Sequence, residues 1–163
     1  MASTPGDPDH PRLSWRYPAR VSDLNPGGHL DNLHILRVAD ETRFQLLGMR
    51  EPSGATITPG LLDQAPRRVV SLVAAHRADY LRELWYSPTE PLQSQLWVCR
   101  LGGSSFDLAC EIRQDPQAPV AARVVTTIVL VDLDAGAPWA LDDTVRGALT
   151  AYLGPPPGLR ARG

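Results

Sequence analysis

Lysine is absent from this sequence, and all sixteen basic residues are arginine. A lysine Schiff base or a lysine general base is therefore excluded from the chemistry of the protein. Long hydrophobic runs are missing as well, since no stretch approaches the roughly 20 apolar residues that a membrane-spanning helix needs. The first residues, MASTPGDPDHP, also lack the apolar core of a signal peptide. The sequence thus predicts a cytoplasmic protein with no membrane partner.

An excess of charge of one sign is also missing, because the formal net charge is only -2. Sequence-independent binding of nucleic acid needs a basic face, so we expect no nucleic-acid partner. Two cysteines are present, Cys99 and Cys110, and they lack the spacing of metal ligands, so we expect no bound metal. Both lie in strand-like sequence, which favours buried thiols over a disulfide.

The 163 residues fit one domain. Residues 1–12 are rich in proline, aspartate and small residues, and residues 154–163 read GPPPGLRARG, so a disordered tail is predicted at each end. No internal repeat or linker-like stretch divides the sequence between them. A single folded domain is therefore predicted over residues 13–153.

Hydrophobic periodicity predicts one long helix followed by several strands. Apolar residues recur at helical spacing from Asn32 until Gly48, and Asp31 or Asn32 suits the N-cap. Residues 69–84 fit a helix or a strand, and the nearby valine, tyrosine and tryptophan favour the strand. The remaining predicted elements are a hairpin over residues 93–101 and 104–113, a β-branched strand over residues 120–133, and a short helix over residues 141–153.

This order of elements predicts an α+β fold in which an antiparallel sheet wraps around a single helix. Such a sheet leaves edge and face surface that one small domain does not easily cover. Pairing with a second copy of the chain is therefore expected.

Residues 20–44 carry the most specific motif. It consists of Ser22-Asp23-Leu24-Asn25, Gly28-His29-Leu30, Asn32, and Glu41-Thr42-Arg43-Phe44. This pattern resembles the N-terminal signature of hot-dog-fold thioesterases, a group that includes 4-hydroxybenzoyl-CoA thioesterases and plant acyl-ACP thioesterases. The resemblance implies a long central helix wrapped by an antiparallel sheet of five or six strands. It also implies a homodimer or homotetramer, with active sites at a subunit interface, that hydrolyses an acyl-CoA or acyl carrier protein thioester without a cofactor.

Thioester hydrolysis needs a donor that polarises the carbonyl group and a base or nucleophile that delivers water. The free N–H groups at the start of the helix fit the first requirement. At the position of the family's usual catalytic carboxylate stands Asn25, which can orient a water but cannot act as a general base. We therefore predict Asn25, His29 and Glu41 as catalytic residues, because the resemblance also includes members with a carboxylate on the central helix.

Four residues of the motif and of the predicted hairpin are predicted to bind substrate: Asp23, Gly28, Asn32 and Ser105. Other interpretations stay open for several candidates. Asp23 and Asn25 also suit a turn, and Glu41 can instead pair with a neighbouring arginine on a solvated helix face.

Two other functions are also open. The stretch from Asp23 to His29 resembles the Asp-x-Asn-Pro-x-His motif of hot-dog-fold enoyl-CoA hydratases, with one additional residue between the proline and the histidine. The second alternative, after the hydratase, is a non-catalytic acyl-CoA-binding protein. It stays open because Asn25 replaces the catalytic carboxylate that is usual in the family.

Overall fold

The computed structural model describes residues 10–51, 53 and 55–160. Of the tail predicted over residues 1–12, residues 1–9 lie outside this part. The strands are β1 Leu13–Tyr17, β2 Met49–Arg50, β3 Thr56–Thr58, β4 Val69–Tyr80, β5 Leu92–Leu101, β6 Ser105–Arg113, β7 Ala122–Asp132 and β8 Ala137–Pro138. Within the described residues the two α-helices are α1 Asn32–Leu47 and α2 Asp143–Thr150, and neither has the length and apolar character of a membrane-spanning helix.

Six strands form one antiparallel sheet. Its order is β1-β5-β6-β7-β4, with β8 paired to the end of β7, while β2 and β3 form a separate two-stranded sheet. β5 and β6 are the predicted hairpin, and residues 69–80 form a strand, as the β-branched and aromatic residues indicated. An antiparallel sheet of this size around one long helix confirms the predicted α+β hot-dog fold.

Helix α1 packs against the inner face of the sheet and forms the core with it. The buried helix residues include Ile35, Val38 and Leu46, and the sheet contributes the alternate residues Phe106 and Leu108 of β6. Burial of such side chains stabilises the fold by about 1.5–3 kcal/mol each. Because this core fixes the position of α1, it also fixes where the start of the helix lies.

Both ends of α1 agree with the sequence signals. The side chain of Asp31 caps the start of the helix by accepting a hydrogen bond from the N–H of Leu33 at 2.8 Å. Gly48 ends the helix with φ 83°, a left-handed conformation that favours glycine. The helix and its predicted N-cap are therefore confirmed.

Residues 154–160 lie across the outer face of the sheet and form neither helix nor strand. The indole N–H of Trp97 donates to the carbonyl of Pro155 at 2.8 Å. Farther along, Arg123 donates to the carbonyl of Gly158 at 2.8 Å, and the N–H of Arg160 donates to an Asp79 carboxylate oxygen at 2.6 Å. These bonds hold residues 154–160 against the sheet from β5 across to β4, whereas the composition predicts a disordered tail over residues 154–163. Residues 161–163 lie outside the described part of the chain.

The two cysteine thiols are free, with Cys110 buried and Cys99 half-buried. Burial raises the pKa of Cys99 to about 11, and burial also raises the pKa of Cys110. Because the thiolate is the reactive form, both thiols are unreactive at neutral pH, and Cys110 packs within the core cluster.

Asp107 carries a charged hydrogen-bond cluster on the outer face. Its carboxylate accepts from Nε and Nη2 of Arg100 at 2.7 and 3.0 Å and from the Thr127 hydroxyl at 2.8 Å. The Arg100 bonds first, and then the Thr127 bond, hold the pKa of Asp107 below its ordinary value. A carboxylate with a lowered pKa stabilises the fold above its unfolded-state pKa, and this stabilisation is lost as the pH falls through the folded-state pKa.

Asp107→Asn should therefore lower the free energy of unfolding by about 1–2 kcal/mol at neutral pH, after allowance for the partly exposed Arg100. The difference from the parent should shrink as the pH falls through the folded-state pKa of Asp107, because the parent carboxyl is then also neutral. Urea unfolding of both proteins at pH 7 and in acid measures this, with the exposed Asp134→Asn as control. A difference that stays constant with pH would contradict the assignment.

Candidate active site

The loop between β1 and α1 carries the motif and folds back on itself around Asn25. The backbone N–H of Asn25 donates to the carbonyl of His29 at 2.8 Å. Its side-chain Oδ1 accepts from the N–H of Gly27 at 2.8 Å and from that of His29 at 3.3 Å. Gly28 completes the turn with φ 82°, which favours glycine. The Asn25 side chain is thus fixed by the loop's own backbone.

The segment after β4, residues 81–85, lies beside this loop and is fixed to it. The N–H of Arg82 donates to the carbonyl of Ala121 at 3.0 Å. The carbonyl of Leu84 accepts from the N–H of Leu30 at 2.8 Å. Residues 81–85 are therefore bonded on one side to the chain before β7 and on the other to the motif loop.

Between these two segments, at the start of α1, is an open cavity of about 280 Å³. We term it the loop cavity. It is lined by Asn25, His29, Leu30, Asn32, Ile35, Tyr80, Leu81, Arg82, Glu83 and Leu84. The structure thus brings together three of the predicted site residues, Asn25, His29 and Asn32.

Asn32 is the first residue of α1, and within the described part of the chain its backbone N–H has no hydrogen-bond acceptor. The first N–H groups of a helix have no partner inside the helix, and the helix dipole makes this end positive. A carbonyl oxygen bound here meets a donor at the place where negative charge develops during attack on a thioester.

The imidazole ring of His29 is held on two sides. Its ring packs edge-on against Trp85, with centroids 4.3 Å apart and planes at 68°, and its Nδ1 lies 3.4 Å from Oε1 of Glu83. The Cε1–Nε2 edge of the ring lies near Gly27, where an added methyl group would be 3.9 Å from Cε1, 4.0 Å from Nε2 and 3.2 Å from Oδ1 of Asn25. Nε2 of His29 and the Asn25 side chain therefore border the same small space.

Two other predicted site residues, Asp23 and Glu41, line a second cavity of about 480 Å³ between β1 and α1. We term it the β1 cavity. Asp23 is buried, accepts from the Arg20 N–H at 2.8 Å and from the Tyr17 hydroxyl at 3.4 Å, and lies 3.3 Å from Nε2 of His34. Burial, together with Asp23, raises the pKa of Tyr17. These contacts make Asp23 an anchor of the chain before α1.

Ser105 lies at the start of β6, and its hydroxyl accepts a hydrogen bond from Arg100 at 3.4 Å. It lines neither the loop cavity nor the β1 cavity. The roles predicted for Asp23, Glu41 and Ser105 stay predictions. In the part of the chain that the structure describes, no three His, Cys, Asp or Glu side chains are grouped so that they could hold a metal ion.

Sequence reasoning missed the residues that follow β4, above all Arg82, Glu83 and Trp85. Their local sequence is ordinary, and their place in or beside the loop cavity depends on the pairing of two distant segments. The strand predicted within residues 69–84 did not indicate what its end would contact.

The fold and the cavity at the start of α1 define a hot-dog-fold protein. The family model of the thioesterase-like superfamily matches residues 19–149, and the chain belongs to this family. The resemblance inferred from residues 20–44 is therefore confirmed. The comparison with curated proteins gave no match.

Solved structures show the same fold. A predicted thioesterase from Bacillus stearothermophilus is 20% identical, with a TM-score of 0.73 over 90% of this chain and 100% of that one. The 1,4-dihydroxy-2-naphthoyl-CoA thioesterase from Synechocystis is 15% identical, with a TM-score of 0.68 over 86% and 96%. A thioesterase from Thermus thermophilus, complexed with coenzyme A and Zn, is 23% identical, with a TM-score of 0.63 over 85% and 92%.

Proposed function

We propose that this protein hydrolyses the thioester bond of an acyl-CoA in the loop cavity and releases a free acid and a thiol. The observation that carries the proposal is that the Asn32 N–H, Asn25 and His29 lie together in the loop cavity, at the positive end of α1. Family membership and the similarity to thioesterases, one of them complexed with coenzyme A and Zn, support a CoA thioester as substrate. An acyl carrier protein thioester presents the same reacting group and is the alternative carrier.

The residues of the loop cavity divide the reaction between them. The N–H of Asn32 stabilises the oxyanion that forms when water attacks the carbonyl carbon. The Asn25 carboxamide, with its oxygen bonded to the loop backbone, presents its amino group to the water or substrate. Nε2 of His29 accepts the proton of the attacking water and returns it to sulfur when the C–S bond breaks.

We also propose that the protein acts as a homodimer, paired through β4. This strand of 12 residues lies at the end of the sheet order, so one of its edges has no partner strand within the described residues. Free strand edges pair readily with a second chain. Leu72, Val73 and Tyr80 on β4 are 51%, 40% and 40% exposed. Because Tyr80 also lines the loop cavity, a second copy on this edge would enclose the substrate.

Thiol release from a panel of short, long and aromatic acyl-CoAs tests the proposed reaction. We expect turnover of at least one class. An enoyl-CoA in the same panel, followed by loss of its double bond, tests for hydratase activity. Acyl-CoA binding measured by calorimetry, with no turnover of any CoA or carrier-protein thioester, would overturn the proposal in favour of a binding role.

Glu41→Gln decides between two positions for the base of the reaction, the Glu41 predicted from the sequence and His29 in the loop cavity. Since Glu41 lines the β1 cavity and not the loop cavity, we expect kcat to stay within a few-fold of the parent value. Steady-state kinetics on the best substrate of the panel measures this. A severe loss of kcat, with folding retained by circular dichroism, would place the base on α1 and contradict the assignment of the reaction to the loop cavity.

A further inference from the structure

One residue that lines the loop cavity, Glu83, has its carboxylate beside Nδ1 of the His29 ring. We infer that Glu83 is a positioning residue that orients His29, which serves as the base in place of the carboxylate missing at Asn25. The inference rests on the proposed function. Oε1 of Glu83 lies 3.4 Å from Nδ1, while Nε2 lies on the edge of the ring that faces Gly27 and Asn25. A carboxylate on one side of an imidazole and the reacting group on the other is the arrangement that orients a histidine general base.

The backbone around Glu83 is fixed on both sides, although its side chain is 59% exposed. Before it, the N–H of Arg82 donates to the carbonyl of Ala121 at 3.0 Å. After it, Trp85 is bonded twice to the Gln114 side chain, which accepts from its N–H at 2.8 Å and donates to its carbonyl at 3.1 Å. The position of the Glu83 carboxylate therefore depends only on its own side-chain torsions.

The ring of His29 is constrained by the same segment. An antiparallel backbone bridge joins His29 to Trp85, and the indole packs edge-on against the imidazole. With Trp85 against the ring and Glu83 beside Nδ1, rotation of the imidazole would break contacts on both sides. The segment 81–85 thus sets the orientation in which Nε2 faces the reacting groups.

This orientation determines which ring nitrogen can accept a proton. We infer that the Glu83 carboxylate, 3.4 Å from Nδ1, favours the tautomer with the proton on Nδ1, which leaves the lone pair of the neutral ring on Nε2. As the water oxygen bonds to the carbonyl carbon, Nε2 takes the water proton, and the imidazolium formed lies opposite the negative charge of Glu83. When the C–S bond breaks, this proton passes to sulfur and the ring becomes neutral again. Glu83 itself takes up no proton.

The first test compares Glu83→Ala with Glu90→Ala. Glu90 is an exposed glutamate a few residues along the chain and does not line the loop cavity, so it controls for the loss of one negative charge. We expect Glu83→Ala to lower kcat by about 10–100-fold, as is typical for a group that orients a catalytic residue, with little change in KM. Glu90→Ala should match the parent, and Glu83→Asp, which keeps the charge, should lie between the parent and Glu83→Ala.

A second test does not depend on activity. Long-range proton–nitrogen spectra of the ¹⁵N-histidine-labelled protein show which ring nitrogen carries the proton. The chain has 4 histidines, and His29→Gln identifies the signals of His29. We expect the neutral His29 ring of the parent to be the Nδ1–H tautomer, and Glu83→Ala to shift it toward a mixture of both tautomers.

The outcomes separate this inference from the proposed function. Parent turnover with kcat and tautomer unchanged in Glu83→Ala would overturn the role of Glu83 and leave the thioesterase proposal intact. A loss of kcat without a change of tautomer would also overturn it, because Glu83 would then not act through His29. No turnover by the parent would overturn the proposed function, and the tautomer would still decide whether Glu83 orients His29.

Discussion

Replacing His29 with glutamine should lower kcat for thioester hydrolysis by roughly 10²–10⁴-fold, the contribution expected of a positioned general base. Glutamine keeps a polar side chain of similar reach but cannot accept the water proton. KM should change little, because the oxyanion donor at Asn32 and the rest of the loop cavity are retained. Steady-state thiol release on the best acyl-CoA of the panel measures both constants.

His34→Gln is the matched control for this substitution. His34 lies near the start of α1 and is also paired with a carboxylate, since its Nε2 is 3.3 Å from Oδ1 of Asp23. It lines the β1 cavity, so we expect its replacement to leave kcat close to the parent value. Equal activity of His29→Gln and the parent, or equal losses in both variants, would contradict the assignment of the base to His29.

Replacing Val73 with aspartate on the free edge of β4 should weaken self-association by at least about 100-fold. Dimer formation through this edge would bury the new charge without a partner, which costs several kcal/mol, and charges on an edge strand block pairing. Analytical ultracentrifugation over a range of concentrations measures the association and also separates a dimer from a tetramer. Activity per chain should fall at concentrations where the variant is monomeric and rise again where it associates.

Leu153→Asp provides the control, because Leu153 has the same exposure of 40% and is bridged to Val98 of β5, away from β4 in the sheet order. Its self-association should equal that of the parent. A parent that sediments as a monomer at all concentrations, or a Val73→Asp variant that associates as the parent does, would rule out dimerisation through β4.

The helix and the hairpin could be predicted because their signals are local. The cap at Asp31, the helical spacing up to Gly48 and the alternation across Gly102-Gly103 each depend on neighbouring residues only. The meeting of Asn25 and His29 is local too, since one short turn with Gly28 in a left-handed conformation brings them together. The motif over residues 20–44 therefore indicated both the fold and part of the candidate site.

The rest of the site depended on contacts that no local pattern records. Glu83 reaches His29 only because the segment after β4 pairs with the motif loop, through bonds such as that from Leu30 to Leu84. Glu41 and Asn25 lie in different cavities because the packing of α1 on the sheet decides which helix face borders which space.

The sequence by itself thus determined the α+β order of elements, the capped helix and the turn that places Asn25 beside His29, since spacing along the chain fixes periodicity and turn geometry. The tertiary structure alone decided which carboxylate lies beside Nδ1 of His29 and which face of the sheet residues 154–160 cover. Those contacts join segments far apart in the chain, and their positions are set by how the helix and the strands pack into one core.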